Sequence, residues 1–138
     1  KVIASSLRKG NVVDKDGKII TGDFSHAIVA IGIVPNAENI GIEELGIATN
    51  RGHIVTNAMC QTNVEGVWAI GDVTAPPWLA HKASHEGVLA AEAIAVSLGK
   101  AELDPHPIDV KNIPGCTYCH PQVASVGLTE VKAKEAGH

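Results

Sequence analysis

Continuous apolar runs bounded by glycine predict two short strands. The first run extends from His26 to Ile31, and the second extends from Val67 to Ile70, which leads directly into Gly71-Asp72. Short runs rich in β-branched residues are typical of strands that are covered on both faces. Nearer the start of the chain, residues 10–13 and 18–21 flank an Asp-Gly pair, and this pattern predicts a β-hairpin.

Apolar residues at helical spacing predict one long and one short helix. The long helix runs from Leu79 to Leu98 and stops at Gly99. The short helix runs from Thr129 to Ala136, with Thr129 as its N-cap. Weaker signals predict a helical turn around 42–45, a short strand over 53–57, a linker over 100–107 and strand character over 116–126.

Composition narrows the class of protein. The 138 residues suggest one domain as a first estimate, and the 45% apolar content allows a buried core. Only 3% of the residues are aromatic, and such an aliphatic core is typical of buried parallel sheets. A net charge of −4 argues against a nucleic-acid or anionic-membrane surface. No apolar run reaches the roughly 18 residues of a membrane span. Three cysteines form no disulfide framework, which suits a reducing compartment.

Candidate chemistry centres on Gly71-Asp72 and the helix that follows it. An apolar strand that ends in Gly-Asp places a carboxylate at the edge where open α/β sheets bind ligands. Gly71 permits close approach, and Asp72 can accept hydrogen bonds from ligand hydroxyl groups. The helix that starts near Leu79 directs free backbone amides toward the same edge, where they suit an anion. Taken alone, however, an aspartate at the end of a strand is more often a turn or cap residue.

Four stretches of sequence together indicate a known family, since they occur in the family's order and cover nearly the whole chain. They resemble the dihydrolipoamide dehydrogenases, which are flavoprotein disulfide reductases. The Leu-Ala-His-Lys-Ala segment favours this family over the glutathione and mercuric reductases. The stretches are Ile28 to Asn36, Gln61-Thr62 with Gly66 to Val73, Leu79 to Ala83 with Glu86-Gly87, and Cys119 to Gly127.

The resemblance implies an α/β fold that contains parts of three domains. Residues 1–36 would end an NAD-binding domain, and residues 37–106 would form the C-terminal part of an FAD-binding domain. These two domains are Rossmann-like. Residues 107–138 would begin an α+β dimerisation domain.

The resemblance also implies roles for individual residues. Asp72 would bind a ribityl hydroxyl of FAD, with Gly71 beside it. The backbone amides at the start of the long helix would stabilise negative charge near N1 and O2 of the flavin ring. Gly32 would face the bound NAD. The residues implied to lie against the flavin ring are Trp78, Leu79, Ala80 and His81.

The chain departs from the family pattern at Ile33, Cys119 and Gln122, where the family usually has Arg, Thr and Glu. The change at Ile33 bears on a charged contact near the NAD site, and none of the three touches the flavin positions. The sequence holds no Gly-x-Gly-x-x-Gly loop. It also lacks the family's redox-active cysteine pair and its distal His-Glu acid/base pair. We therefore expect no catalytic residue in this chain and no turnover by the chain alone.

Cysteine and histidine spacings allow metal or redox interpretations, but packing explains them better. Cys116 and Cys119 form a Cys-x-x-Cys segment, yet a strand would put them on opposite faces, and no helix amino terminus would lower the thiol pKa. His81 and His85 share one helical face, but a flavin-side backbone position followed by a solvated face is the favoured interpretation. Cys60 is expected to be a small buried hydrophobe. We predict no metal site.

The favoured hypothesis is an internal piece of a flavoprotein that oxidises protein-bound dihydrolipoamide and passes a hydride to NAD through FAD. The parent protein would be a homodimer in the bacterial cytoplasm or the mitochondrial matrix. Its partner would be the lipoyl domain of a 2-oxo acid dehydrogenase complex. Two alternatives stay open. One is a piece of another flavin disulfide reductase, similar to glutathione or mercuric reductase. The other is a purely structural or dimerisation piece without a ligand.

Overall fold

The computed structural model describes residues 2–4, 8–13, 16–24, 26–29 and 32–138. The chain divides into two compact units, Lys1–Val34 and Pro35–His138. Among the described residues, the first unit consists of strands, and the second contains both strands and helices.

Antiparallel strand pairs form the described part of the first unit. Strand β1 (Val2–Ala4) pairs with β4 (Ala27–Val29). Strand β2 (Arg8–Val13) pairs with β3 (Ile19–Phe24) in the register Val13↔Ile19. The hairpin predicted around the Asp-Gly pair is therefore confirmed, with strands longer than expected.

The described part of the apolar run that begins at His26 forms strand β4. Ala30 and Ile31, which were predicted to continue this strand, lie outside the described residues. Ile28 is 63% exposed, so the prediction of cover on both faces is wrong at this position. The reason is that no helix occurs among the described residues of this unit to cover the β1–β4 ladder.

The second unit begins with a helical turn and a very short hairpin. The turn follows the prediction for 42–45, since the amide of Leu45 donates to the carbonyl of Gly41 at 3.1 Å. Strands β5 (Thr49–Asn50) and β6 (His53–Ile54) form the hairpin. A buried cluster holds this region together, because apolar side chains from separate segments meet in it. Its members are Ala37, Ile42, Ile54 and Ala69.

The prediction of a regular strand over Val67–Ile70 is wrong. This segment makes a single antiparallel bridge between Trp68 and Gln61. The amide of Ala69 also donates to the carbonyl of Cys60 at 3.0 Å. Pairing ends there because the chain turns at Gly71, whose φ is 73°, into a 3₁₀ turn.

The long helix is confirmed as α1 (Ala80–Ser97). It ends as predicted at Gly99, because the amide of Gly99 donates to Val96 O and that of Lys100 to Ala95 O. This pattern is a Schellman motif, and Gly99 has the positive φ of 63° that the motif requires. The buried face of α1 packs beside the Cys60 turn through Leu89 and Ala90.

The last part of the chain contains a second 3₁₀ turn, a hairpin and a short helix. Residues 100–107 have no regular structure, as the linker prediction states. The strand character predicted for 116–126 takes the form of two antiparallel strands, β7 (Gly115–Thr117) and β8 (Val123–Ser125). The chain reverses between them because Pro121 lacks a backbone donor for a continuous ladder. Helix α2 (Glu130–Glu135) follows, and the Thr129 hydroxyl caps it by accepting from the amide of Lys132 at 3.4 Å.

Every strand pair in the described ranges is antiparallel. The parallel sheet that the aliphatic composition suggested is thus absent from these ranges, since short antiparallel strand pairs account for the pairing instead. Among the same residues, no helix combines the length and apolar character that crossing a membrane requires.

Candidate functional site

The candidate site is built on the 3₁₀ turn Gly71–Val73, which follows the bridged segment. Gly71 is buried and has a φ of 73°. A Cβ at Gly71 would lie 3.3 Å from the Cβ of Ala83, so the absence of a side chain lets the turn approach α1 closely. Asp72 is exposed. Its carboxylate makes no hydrogen bond to the described residues and is open to a ligand.

Thr74 stabilises the C-terminal end of the turn. The Thr74 side chain is 2% exposed, and its hydroxyl donates to the carbonyl of Gly71 at 2.8 Å. The backbone amide of Thr74 donates to the same carbonyl at 3.0 Å. The indole Nε1–H of Trp78 donates to the carbonyl of Thr74 at 3.0 Å. The segment from the turn to the start of α1 is therefore tied back on itself.

A buried ion pair on α1 stabilises the N-terminal end of the turn. The amide of Gly71 donates to Glu86 Oε2 at 2.7 Å. The ammonium group of Lys82 lies 2.7 Å from Glu86 Oε1, and the two side chains are 6% and 12% exposed. Lys82 Nζ also donates to the Thr74 hydroxyl at 3.4 Å. Together these contacts connect both ends of the turn to the helix.

Sequence reasoning did not assign a role to Lys82 or Glu86. The spacing of four residues between a lysine and a glutamate on a predicted helix is a signal for an ion pair. What that spacing could not show is that the pair is buried and that Glu86 reaches Gly71, fifteen residues earlier. Only the packing of the turn against α1 brings these groups together.

The amino end of α1 leaves backbone donors free. Its N-cap residue is Leu79, which has no side-chain oxygen, and the first turn contains no acidic residue. The amides of the first turn have no partner within the helix. Together with the helix dipole, they favour negative charge at this end. The sequence prediction that Leu79, Ala80 and His81 begin the helix is confirmed, with Leu79 as the cap.

Trp78 is fixed by two contacts within the chain. In addition to its bond to Thr74, its ring stacks on that of His53, with centroids 5.0 Å apart and an angle of 17° between the planes. No sequence pattern assigns a role to His53. The two residues are twenty-five positions apart, and no local pattern indicates the stack. These two contacts fix the position of the Trp78 ring beside the turn.

His81 faces the segment that precedes β7. Its Nε2 lies 2.8 Å from the carbonyl oxygen of Pro114. His81 and His85 line a cavity of about 340 Å³, together with Asp109 and Asn112. No group of three or more His, Cys, Asp or Glu side chains with metal-binding geometry occurs in the described part of the chain.

The cysteines differ in exposure. Cys116 and Cys119 are free and exposed. The prediction that both lie in one strand is wrong, because β7 ends at Thr117 and Cys119 lies in the reversal after it. Cys60 is buried, as predicted. Burial raises the pKa of the Cys60 thiol, the nearby Glu86 carboxylate adds to the rise, and Lys82 opposes it.

Gly32 belongs to the first unit. It is exposed, its φ is 131°, and a Cβ there would meet nothing within 4 Å. Its place beside a nicotinamide cofactor stays a prediction, as do the flavin roles of the residues around Asp72.

The chemistry of the site suits a flavin nucleotide. Such a molecule offers sugar-like hydroxyl groups as donors and a ring edge that carries negative charge when reduced. The exposed Asp72 carboxylate would accept hydrogen bonds from such hydroxyls. The uncapped amides at the start of α1 would donate to such a ring edge. Residues of both kinds are present on one connected segment, so the donor set fits this group.

Sequence comparisons place this chain among well-defined relatives. The family described as "Pyridine nucleotide-disulphide oxidoreductase" matches residues 2–87. Its dimerisation domain matches residues 113–138. A dihydrolipoyl dehydrogenase of Zymomonas mobilis is 58% identical over 127 residues, which are 92% of this chain and 26% of that protein. A dihydrolipoyl dehydrogenase of Rhizobium etli is 54% identical and covers 92% of this chain and 25% of its own length. The chain therefore spans about a quarter of the length of these relatives.

Solved structures give the same result for the fold. The crystal structure of LpdA from Mycobacterium tuberculosis matches with a TM-score of 0.68 and 30% identity, over 92% of this chain and 26% of that one. The copper(II) complex of RclA from Escherichia coli, an HOCl-induced flavoprotein disulfide reductase, matches with a TM-score of 0.69 and 25% identity, over 91% of this chain and 27% of that one. The predicted α/β class is confirmed by these matches.

Proposed function

The chain belongs to the pyridine nucleotide-disulphide oxidoreductase family, and from this premise we propose that it works as part of a dihydrolipoamide dehydrogenase. In this proposal the whole enzyme oxidises protein-bound dihydrolipoamide through a cysteine disulfide and FAD, and it reduces NAD. The identities of 58% and 54% to proteins named dihydrolipoyl dehydrogenase support this choice of substrate.

The observation that carries the proposal is the exposed carboxylate of Asp72 on a turn that the rest of the site holds rigid. Asp72 accepts hydrogen bonds from the ribityl hydroxyls of FAD. Gly71 lets the turn sit close to α1, because a side chain there would meet Ala83. Orientation of this kind is what a protein contributes to a cofactor that carries the chemistry.

The start of α1 supplies the electrostatic part of the site. The uncapped amides of Ala80 and His81 donate toward the flavin ring, where the helix dipole favours negative charge. Trp78 and Leu79 form the wall beside the ring. When bound, the flavin supplies the hydride chemistry that links the thiols to NAD.

Further parts of the proposal concern the rest of the chain. Gly32 faces NAD at the end of an NAD-binding domain over 1–36, and 37–106 belongs to the FAD-binding domain. Residues 107–138 begin a dimerisation domain through which the enzyme forms a homodimer, and the family match over 113–138 supports this. The partner is a lipoyl domain of a 2-oxo acid dehydrogenase complex, and the bacterial relatives support a cytoplasmic location.

A second candidate is another flavin disulfide reductase, which the similarity to RclA favours. The two candidates differ in the disulfide substrate. We expect the purified whole enzyme to reduce NAD with dihydrolipoamide as the electron donor. It should show no comparable oxidation of a reduced nicotinamide cofactor with glutathione disulfide as the acceptor. Preference for glutathione disulfide would reject the first candidate in favour of the second.

The test of the flavin site itself is a substitution at Asp72. The gene product is freed of flavin and titrated with FAD, with quenching of flavin fluorescence as the signal. Loss of a hydrogen bond to a charged acceptor predicts that Asp72→Ala raises the dissociation constant for FAD by about tenfold or more. Asp104→Ala, which removes an exposed carboxylate from the linker, is the matched control and is expected to leave that constant unchanged. Equal effects of the two substitutions would reject the site.

A further inference from the structure

Glu86 lies at the point where the flavin-binding turn meets the long helix. We propose that Glu86, held by Lys82, is a positioning residue whose carboxylate fixes the Ile70–Gly71 peptide on the amino side of the glycine and thereby sets the direction in which Asp72 presents its carboxylate. This inference rests on the proposed function, because it assigns a role toward the same flavin site.

Gly71 is the flexible joint that needs such a restraint. A glycine adopts positive and negative φ with similar ease, so its backbone does not hold a single orientation by itself. Here φ is 73°, and the residue that follows is Asp72. A change at this joint would turn the Asp72 side chain without disturbing α1.

Two contacts restrain the joint from opposite sides. The Gly71 amide donates to Glu86 Oε2 at 2.7 Å, a length typical of a bond to a charged acceptor. The Gly71 carbonyl accepts from the Thr74 hydroxyl at 2.8 Å. Lys82 contacts both side chains that hold Gly71, since its ammonium reaches Glu86 at 2.7 Å and the Thr74 hydroxyl at 3.4 Å.

Glu86 acts through the turn and not on the ligand itself. Both of its oxygens have partners within the chain, Oε1 with Lys82 and Oε2 with Gly71. Its side chain is 12% exposed, whereas Asp72 is open to solvent. The role of Lys82 is to pair with the carboxylate and orient it in this buried place, because a buried charge needs a partner.

Two double variants separate positioning from stability. Lys82→Met/Glu86→Gln and Lys82→Met/Glu86→Met both remove the two buried charges. Only the first keeps an oxygen that accepts from the Gly71 amide. The gene product carrying each pair is titrated with FAD, and its thermal unfolding is measured in parallel.

The glutamine pair is expected to bind FAD within about threefold of the unsubstituted protein, and the methionine pair about tenfold or more weakly. A purely structural role would weaken FAD binding in both variants in proportion to their loss of thermal stability. Equal FAD affinity of the two double variants would overturn the inference.

A second variant covers the case in which the methionine pair does not fold. Glu86→Asp keeps the charge opposite Lys82 but shortens the side chain by one methylene and withdraws its oxygen from Gly71. We expect weaker FAD binding together with faster hydrogen exchange of the Gly71 amide. Unchanged exchange and unchanged FAD affinity would overturn the inference.

The Asp72→Ala background distinguishes failure of this inference from failure of the proposed function. If Glu86 acts through Asp72, the difference between the glutamine and methionine pairs disappears once Asp72 is alanine. A difference that persists in full would overturn the positioning role while the flavin site stands. If Asp72→Ala alone leaves FAD affinity unchanged, the proposed flavin site is rejected, and the inference falls with it.

Discussion

Replacement of Lys82 by methionine is the sharpest perturbation of the turn-helix junction. Methionine has a similar length and no charge, so it leaves Glu86 without its ammonium partner 2.7 Å away. The remaining carboxylate is 12% exposed and keeps one hydrogen bond, from the Gly71 amide. Removing one partner of a buried ion pair costs about 3–5 kcal/mol. Because Glu86 retains that bond, we expect a loss of about 3 kcal/mol in the free energy of unfolding, at the lower end of that range.

The chain provides a matched control for this experiment. Lys134 and Glu130 form a second pair with the same spacing of four residues and an N–O distance of 2.6 Å. Their side chains are 71% and 81% exposed, and exposed helix pairs contribute only about 0.3–0.5 kcal/mol. The two substitutions, Lys134→Met and Lys82→Met, therefore differ mainly in how deeply the ion pair that they remove is buried.

The measurement is urea unfolding of both variants, followed by tryptophan fluorescence. Trp68 and Trp78 both lie in the second unit, which contains the two ion pairs. We expect a large fall in the midpoint for Lys82→Met and almost none for Lys134→Met. If both variants shifted the urea midpoint by the same small amount, burial would not determine how much the ion pair contributes to stability.

Four further predictions concern the turns and the thiols. Gly71→Ala should lower the unfolding free energy by about 1–3 kcal/mol, because φ is 73° and the new methyl would press on α1; unchanged thermal unfolding would contradict this. Asn57→Ala should cost about 1–2 kcal/mol in urea unfolding, since Asn57 Oδ1 accepts from two backbone amides in the turn where Cys60 has a φ of 63°; no change in the midpoint would count against this role. Cys116 and Cys119 should react at once with an aromatic disulfide reagent and Cys60 only after unfolding, and three fast thiols would contradict the burial. Because burial raises the pKa of the Cys60 thiol, the native protein keeps this proton after the unfolded chain has lost it. The unfolding free energy should therefore fall as the pH rises past the ordinary pKa of a thiol. Cys60→Ala should reduce this dependence of the unfolding free energy on pH.

Local sequence signals predicted the helices well. Helix α1 was placed within one residue at each end, because its apolar periodicity extends over five turns and Gly99 provides the stop. Thr129 was correctly identified as the cap of α2. In both cases the deciding interactions join residues a few positions apart, and these are the interactions that a sequence pattern encodes.

Strand predictions failed where the outcome depended on a distant partner. Val67–Ile70 has the composition of a buried strand, but a strand needs a neighbour over its whole length, and Gln61 provides only one bridge. The site shows the same limit. The Gly71–Glu86 bond and the His53–Trp78 stack join residues that lie far apart in sequence, so no spacing rule indicates either.

A crystal structure of the flavin-loaded gene product would show whether Asp72 holds the ribityl chain of the flavin. We expect a carboxylate oxygen of Asp72 at hydrogen-bonding distance, about 2.5–3.0 Å, from a ribityl hydroxyl oxygen. We also expect the turn to keep the bond from the Gly71 amide to Glu86. A flavin bound elsewhere, or an Asp72 carboxylate more than about 4 Å from every ribityl oxygen, would contradict this role of Asp72.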